Sequence, residues 1–286
     1  MTDVHFWHGG RLDDRQDALV RTWLPGLRLR ADMSWGPAGT AVLDVDSAVG
    51  RVVIKAGGAS NHHIDREIEA FRGFTAPLTR NGTASRLLHH DRDAKLLVIA
   101  YLDGSLVQGS AAEFSPDTYV QAGRLARTLH GQAQRVDATW DREAVSKSLA
   151  WLDKPHHIPP EVATRLRSVL GAHTAGPVVV VPTHGDWQPR NWLVAGGTVK
   201  VIDFGRFAWR PAISDFCRLA AQQWRGDPRL ETAFFAGYGD DPRTPDRWRM
   251  VALHEAIGTA VWACQVGDEP FERQGHRMIT EALTLF

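Results

Sequence analysis

At 286 residues and 43% hydrophobic content, the chain has length for two lobes of ordinary domain size and enough apolar side chains for a real core, which excludes a disordered chain. Lys+Arg and Asp+Glu are 33 each, so the formal charge is zero. No overall basic field recruits nucleic acid or anionic lipid, and any anionic ligand must be held by a local arrangement. The only cysteines, Cys217 and Cys264, are too few and too far apart for a disulfide scaffold or a thiolate zinc site, and they fit a reducing cytoplasm. Residues 1–10 lack a basic stretch followed by an apolar one and do not read as an export signal. The apolar runs 96–102 and 178–181 are far shorter than the roughly 20 residues needed to span a bilayer. They read as buried strands, and no membrane attachment is expected.

Strand signals come first. Residues 40–45 and 51–56 are β-branched runs separated by a polar stretch with Asp46, Ser47 and Gly50, the pattern of a hairpin. In 64–74, Ile64, Ile68, Phe71 and Phe74 recur at helical spacing, predicting an amphipathic helix. Residues 96–102 form a further strand ending at Asp103-Gly104, a breaker pair suited to a link between lobes. Beyond it the pattern becomes helical: 119–130, 161–170, 213–224, 230–238 and 248–266. Only 178–203 interrupts this with strands, so the class is α+β.

Within that interruption lie His184-Gly-Asp186, Asn191 and Ile202-Asp203-Phe-Gly205. Two short apolar strands, 192–194 and 199–202, flank Gly196-Gly197, a pair suited to the positive φ angles of a tight hairpin turn. Antiparallel pairing then brings Asn191, before the first strand, near Asp203, after the second. Two hard oxygen donors with open positions left over suit Mg²⁺, which keeps waters and takes phosphate oxygens as further ligands. Asp186, on the loop entering the hairpin, is left as a candidate general base for an attacking hydroxyl. Lys55 ends the strand 51–55, and Glu67 lies on the next helix, an arrangement that allows an ion pair presenting the ammonium to phosphates. Glu69 is the rival partner on the same helix.

This set of residues resembles the signature of the aminoglycoside phosphotransferases, choline kinases and their relatives. Val53-Ile-Lys55 is similar to the family's phosphate-binding lysine strand, Arg66-Glu67 to its glutamate helix, and 97–104 to its hinge. The resemblance implies a bilobal protein-kinase-like fold, with an N-terminal antiparallel sheet lobe carrying one helix (1–102) and a mainly helical C-terminal lobe (103–286). It implies that Lys55 and Glu67, Ala100 and Leu102 of the hinge, and Gly36 and Gly39 of the loop before the first strand contact the nucleotide. Asn191 and Asp203 are the implied metal ligands, and Asp215 resembles the aspartate that braces the catalytic loop. The loop 34–40 departs from the pattern, being neither glycine-rich in the usual way nor a Walker loop.

The implied activity is transfer of the γ-phosphate of ATP, or GTP, with Mg²⁺, to a hydroxyl of a small acceptor in the cytoplasm. The acceptor expected is an aminoglycoside or similar cationic antibiotic; an amino alcohol, amino acid or sugar is the alternative. Asp227, Asp240, Asp241, Glu255, Asp268 and Glu269 are carboxylates that either receive ammonium groups or are solvated. A protein kinase is disfavoured because Asp203 and Asp215 stand only twelve positions apart, leaving no room for a long activation segment. A pseudokinase binding module is disfavoured by the presence of Lys55, Asp186, Asn191 and Asp203. Partners are therefore a small-molecule acceptor, no nucleic acid and no membrane, with the chain a monomer or homodimer. The doublets His62-His63, His89-His90 and His156-His157 read as solvated loops, and Trp224 and Trp262 as candidate walls of an acceptor pocket.

Overall fold

The computed structural model describes residues 7–34 and 39–286. Of the expected nucleotide contacts, Gly36 lies outside the described residues. The chain runs through helix α1 (Asp14–Trp23), strands β1 (Arg28–Asp32), β2 (Thr40–Ser47) and β3 (Gly50–Gly57), helices α2 (His62–Gly73) and α3 (Ala76–Arg80), then β4 (Leu87–Asp91), β5 (Leu96–Ala100) and β6 (Ser105–Leu106). It continues with α4 (Pro116–His130), β7 (Arg135–Asp137), α5 (Trp140–Leu152), α6 (Pro160–Ala172), β8 (Val178–Thr183), β9 (Trp192–Ala195), β10 (Thr198–Val201) and β11 (Ala208–Arg210). The last stretch is helical: α7 (Cys217–Ala221), α8 (Gln223–Gly226), α9 (Pro228–Tyr238), α10 (Pro245–Val266) and α11 (Glu269–Leu283). Two compact units result, Met1–Glu113 with Pro189–Ala208, and Phe114–Gln188 with Trp209–Phe286.

In the first unit an antiparallel sheet has the order β1-β2-β3-β5-β4. The two-residue period of β3 sorts its side chains between the sheet's faces. Val52, Ile54 and Ala56 join Leu43, Val45, Leu96 and Val98 in a core closed by Val20 and Leu24, around the helix α1 that the apolar pattern did not announce. Val53 packs with Leu97 and Ile99 against Ile64 and Ile68 of α2. Each such Ile or Val, fully buried, contributes about 1.5–3 kcal/mol of transfer free energy. Lys55 is two positions from Val53 and so belongs to the α2 face. Asn61 caps α2 by accepting from the amides of His63 and Ile64, and the helix closes at Gly73, with Phe74 as its cap.

The predicted glycine-turned hairpin is β9–β10, with Gly196 and Gly197 at φ 54° and 79°. Positive φ at both central residues matches the twist of a two-residue hairpin turn. A third strand, β6, joins it in the order β10-β9-β6, pairing Ser105 with Val194. Val201 also donates its amide to Thr83 O at 2.8 Å.

The second unit is mainly helical, with a small sheet ordered β11-β8-β7. Leu166 and Leu170 of α6 pack with Leu253, Ile257 and Val261 of α10 and Ile279 of α11. Helices α4 and α9 touch backbone to backbone: a Cβ on Gly123 would lie 2.1 Å from Phe234 O, and one on Gly237 1.9 Å from Val120 O. The helix expected over 213–224 is broken, because Gln222 leaves helical geometry at φ −122°, ψ −93°. Trp224 is 3% exposed and packs among Phe216, Phe234 and Phe235, so it belongs to the core and is no wall of an acceptor pocket. The first two histidine doublets also differ from expectation: His62 and His63 open α2, and His89 and His90 lie in β4, where His89 stacks on Trp23. Among the described residues no helix is long and apolar enough to cross a membrane.

Candidate active site

Strand β3 and helix α2 position the first part of the site. On α2, Ile64, Glu67, Ile68 and Phe71 share one face, and the isoleucines that dock this face carry Glu67 into the interior, where it is 2% exposed. It meets Lys55: Nζ lies 2.9 Å from each carboxylate oxygen of Glu67 and 2.9 Å from Oδ1 of Asp203. Burial opposes the ammonium charge, but Asp203 and Glu67 outweigh it and hold the lysine well above its ordinary range. Lys55 is thus a fixed cation. The two acids differ in exposure, Glu67 at 2% and Asp203 at 51% of the side chain, so Glu67 is the internal anchor and Asp203 faces outward. The spacing ambiguity between Glu67 and Glu69 is resolved by this contact in favour of Glu67.

Asp203 directly follows the β9–β10 hairpin and adopts φ 65°, a conformation that costs free energy for a residue with a Cβ and that Asp tolerates better than most. Its loop is tied to α2 by two contacts that the sequence reading missed. His63 Nδ1 lies 2.8 Å from the carbonyl of Gly205, which can only accept, so that nitrogen carries the proton. Phe204, fully buried, meets Phe71 edge-on at 5.5 Å. At the hairpin's other strand the Asn191 carbonyl accepts from the amide of Ile202 at 3.0 Å, extending the ladder one pair beyond Trp192–Val201. Asn191 and Asp203 therefore both stand at the open end of the hairpin. An amide oxygen and a half-exposed carboxylate make a hard oxygen donor set that fits Mg²⁺.

The other expected nucleotide contacts lie in the same unit. Ala100 ends β5 opposite Val52, with its amide bonded to Arg86 O at 2.9 Å, and Leu102 follows in irregular chain. Gly39, at φ 59°, lines a cavity of about 490 Å³ with Thr40, Ala41, Ala56 and Gly57. Ala41 and Ala56 pack on the α1 side of the sheet, so this cavity opens on the face opposite Lys55. Lys200 does not join the cluster: its ammonium binds Asp103 O at 2.9 Å.

The second unit holds Asp186. Asp215, 2% exposed, accepts from the consecutive amides of His184 at 2.8 Å and Gly185 at 2.6 Å, which fixes the backbone just before Asp186. Burial alone would raise the Asp215 carboxyl; the hydrogen bond and charge of His130, with His184 and the Gly185 amide, hold it below the usual range. His130 contacts Asp215 at 3.0 Å and the hydroxyl of Tyr238 at 3.0 Å, linking the loop to α4 and α9. His184 shapes the loop, its Nδ1 accepting from the Asp186 amide at 3.3 Å.

Asp186 itself is 4% exposed, and its Oδ1 takes two donors, the Gln188 amide and, at 3.0 Å, Arg218 Nε. Arg218 Nη2 reaches Glu255 at 2.9 Å. Burial works against this guanidinium's charge, and Glu255 and Asp186 more than offset it. Neither Arg218 nor Gln188 was found from sequence; the available signal was an arginine inside the otherwise small and apolar α7. Gln222 extends the network by donating to Gln188 at 3.4 Å, and it lines a cavity of about 340 Å³ with Gln223, Gln274, Arg225, Arg277 and Phe114.

The family model of phosphotransferase enzymes matches residues 40–251. Among solved structures the chain is similar to choline kinase LicA from Streptococcus pneumoniae, with a TM-score of 0.67 at 13% identity over 94% of this chain and 98% of that one. It is also similar to macrolide 2'-phosphotransferase MphH from Brachybacterium faecium, with a TM-score of 0.61 at 17% identity over 94% and 98%. Aminoglycoside phosphotransferase APH(3'')-Id from Streptomyces rimosus gives 0.56 at 21% identity over 86% and 98%. The search of curated proteins found no match.

Proposed function

The chain belongs to the phosphotransferase enzyme family, and we propose that it transfers the γ-phosphate of ATP to a hydroxyl of a small metabolite. The observation that carries this reading is the contact of Lys55 Nζ with Glu67 and Asp203, each at 2.9 Å. A lysine held charged by one buried and one outward carboxylate is suited to neutralise α- and β-phosphate oxygens while Asp203 turns toward a metal. Asn191 and Asp203 would hold Mg²⁺, which supplies charge neutralisation on the transferring phosphate. Ala100, Leu102, Gly36 and Gly39 are the proposed nucleotide contacts, with GTP as the other donor to test.

In the transfer, the acceptor O–H bond breaks as its oxygen bonds to the γ-phosphorus, the proton passes to the carboxylate of Asp186, and ADP leaves with the electron pair of the β–γ bridge. The chain's own tasks are to hold the phosphates at Lys55, keep Asp186 ionised and aimed, and exclude stray water. The loop amides bound by Asp215 and the Arg218 contact to Oδ1 both serve that aim.

For the acceptor, a specific observation favours the metabolite over a cationic antibiotic. The cavity joined to Asp186 through Gln222 and Gln188 is lined by glutamines and by Arg225 and Arg277, without a carboxylate. Five of the six acids read as possible ammonium receivers have partners of their own: Asp227 pairs with Arg229, Asp241 with Arg243, Glu255 with Arg218 and Glu269 with Arg273, and Asp268 caps α11. Arg225 and Arg277 both pair with Glu281, so these walls carry little net charge, and a neutral hydroxyl compound suits them better than a polycation. The test is a phosphate-transfer screen of sugars, sugar acids, amino alcohols and aminoglycosides with ATP and GTP. Transfer to the neutral or anionic members supports the reading, and preferred transfer to aminoglycosides restores the antibiotic alternative. Asp186→Ala should lower turnover by about 10²–10⁴-fold with nucleotide affinity retained.

A further inference from the structure

Away from the proposed catalytic residues, His157, Cys264 and Glu272 each offer one ligand atom, and these three atoms lie within 4.8 Å of one another. The residues come from three places in the fold. His157 belongs to the connection between α5 and α6, Cys264 to the last turn of α10, and Glu272 to the first turns of α11. His157 Nδ1 is 2.8 Å from Glu272 Oε1 and 3.6 Å from Cys264 Sγ. His276, one turn beyond Glu272 on α11, places Nε2 3.5 Å from the same Glu272 oxygen.

We infer that His157, Cys264 and Glu272 form a zinc site, with a water in the fourth position and His276 steadying the carboxylate. One thiolate, one imidazole and one carboxylate is a donor set of the kind Zn²⁺ takes, whereas Mg²⁺ and Ca²⁺ want oxygen alone. Tetrahedral zinc with bonds of about 2.0–2.3 Å separates neighbouring donors by roughly 3.3–3.6 Å. The sulfur–nitrogen distance already has that value. The nitrogen–oxygen distance must open by about half an ångström from its present hydrogen-bond length, and the His157 side chain, 76% exposed, has room to swing outward. That exposure also gives the ion its entry path and leaves the remaining position to solvent. On binding, the Cys264 thiol proton is released to water and the ring nitrogen gives up its own to the second nitrogen or to solvent. Two distant cysteines excluded a thiolate zinc site on sequence grounds, but a single thiolate joined by an imidazole and a carboxylate from other elements needs no second cysteine. Bound metal would clip the 153–159 connection to the α10–α11 pair and so stabilise the helical unit.

The experiment uses the full chain without a histidine tag, stripped of metal, titrated with Zn²⁺ by calorimetry and with Co²⁺ by absorption spectroscopy, beside Cys264→Ser, His157→Ala and Glu272→Gln. Expected are one Zn²⁺ per chain at micromolar or tighter affinity, a sulfur-to-cobalt band in the near ultraviolet, and a melting temperature raised by zinc. Each substitution should weaken binding by roughly tenfold or more, with the cobalt band lost in Cys264→Ser. Cys264→Ser is nearly isosteric at a partly exposed position, so its metal-free melt should match the parent and report that it folds. Zinc binding that is absent, or unchanged in Cys264→Ser and His157→Ala, would overturn the site.

Discussion

Arg218 places Nε 3.0 Å from Oδ1 of Asp186, with both side chains less than a tenth exposed. A buried carboxylate left alone would take up a proton rather than remain charged, and a protonated Asp186 has no capacity as a base. The guanidinium sets an opposite charge beside Asp186 and restricts its rotation, while Glu255 balances Arg218 from the other side at 2.9 Å. Arg218 is therefore a positioning residue for the proposed base.

Replacing Arg218 with Met should destabilise the fold by about 3–5 kcal/mol, because the buried Asp186 carboxylate loses its cation. Turnover should fall on the order of tenfold to a hundredfold through loss of aim. Adding Glu255→Gln should recover part of the stability and none of the turnover, as urea denaturation and initial rates on the same preparations will read.

Asp215 gives a pH signature. Its folded-state pKa is depressed below 3.8, chiefly by His130 against the opposing effect of burial, so its contribution to stability is present above that value and is lost as pH falls below it. Asp215→Ala should cost about 3–5 kcal/mol near neutrality. The gap from the parent should persist at about pH 5 and narrow below 3.8 in denaturant titrations across the acid range.

The crossing of α4 and α9 depends on Gly123, where an added Cβ would sit 2.1 Å from Phe234 O. Gly123→Ala should lower stability by about 1–3 kcal/mol by forcing the helices apart. Gly171→Ala, in α6 with nothing near its Cβ position, should be neutral or stabilising by about 0.4–1 kcal/mol. Thermal melts of the two variants check the contrast.

What was legible in the sequence follows from the range of the forces concerned. The β2–β3 hairpin, α2 and the β9–β10 hairpin rest on local period and turn chemistry, and Lys55 and Asp203 could be named from their places on those elements, whereas spacing left Glu67 beside Glu69 and only the family resemblance favoured Glu67. Elements whose apolar pattern is weak went unseen. Helix α1 shows its capping box only locally, with Gln16 and Asp13 exchanging bonds, and it buries just Gln16 and Val20. Strand β6 is two residues long and exists only because β9 offers an edge. Arg218 escaped because its meaning is tertiary: nothing local tells that this arginine is buried between Asp186 and Glu255. The third histidine doublet does lie in an exposed loop, as read, but nothing local tells that His157 acquires neighbours from helices more than a hundred positions away.

The most direct test of the account is a calorimetric titration of ATP, with and without Mg²⁺, into the parent and Asp203→Ala. Outward-facing Asp203 is the proposed metal ligand. The account predicts that Mg²⁺ tightens ATP binding to the parent and that this gain disappears in Asp203→Ala. A variant whose affinity for ATP still responds to Mg²⁺ as the parent's does would contradict the assignment of the Lys55–Glu67–Asp203 cluster as the nucleotide site.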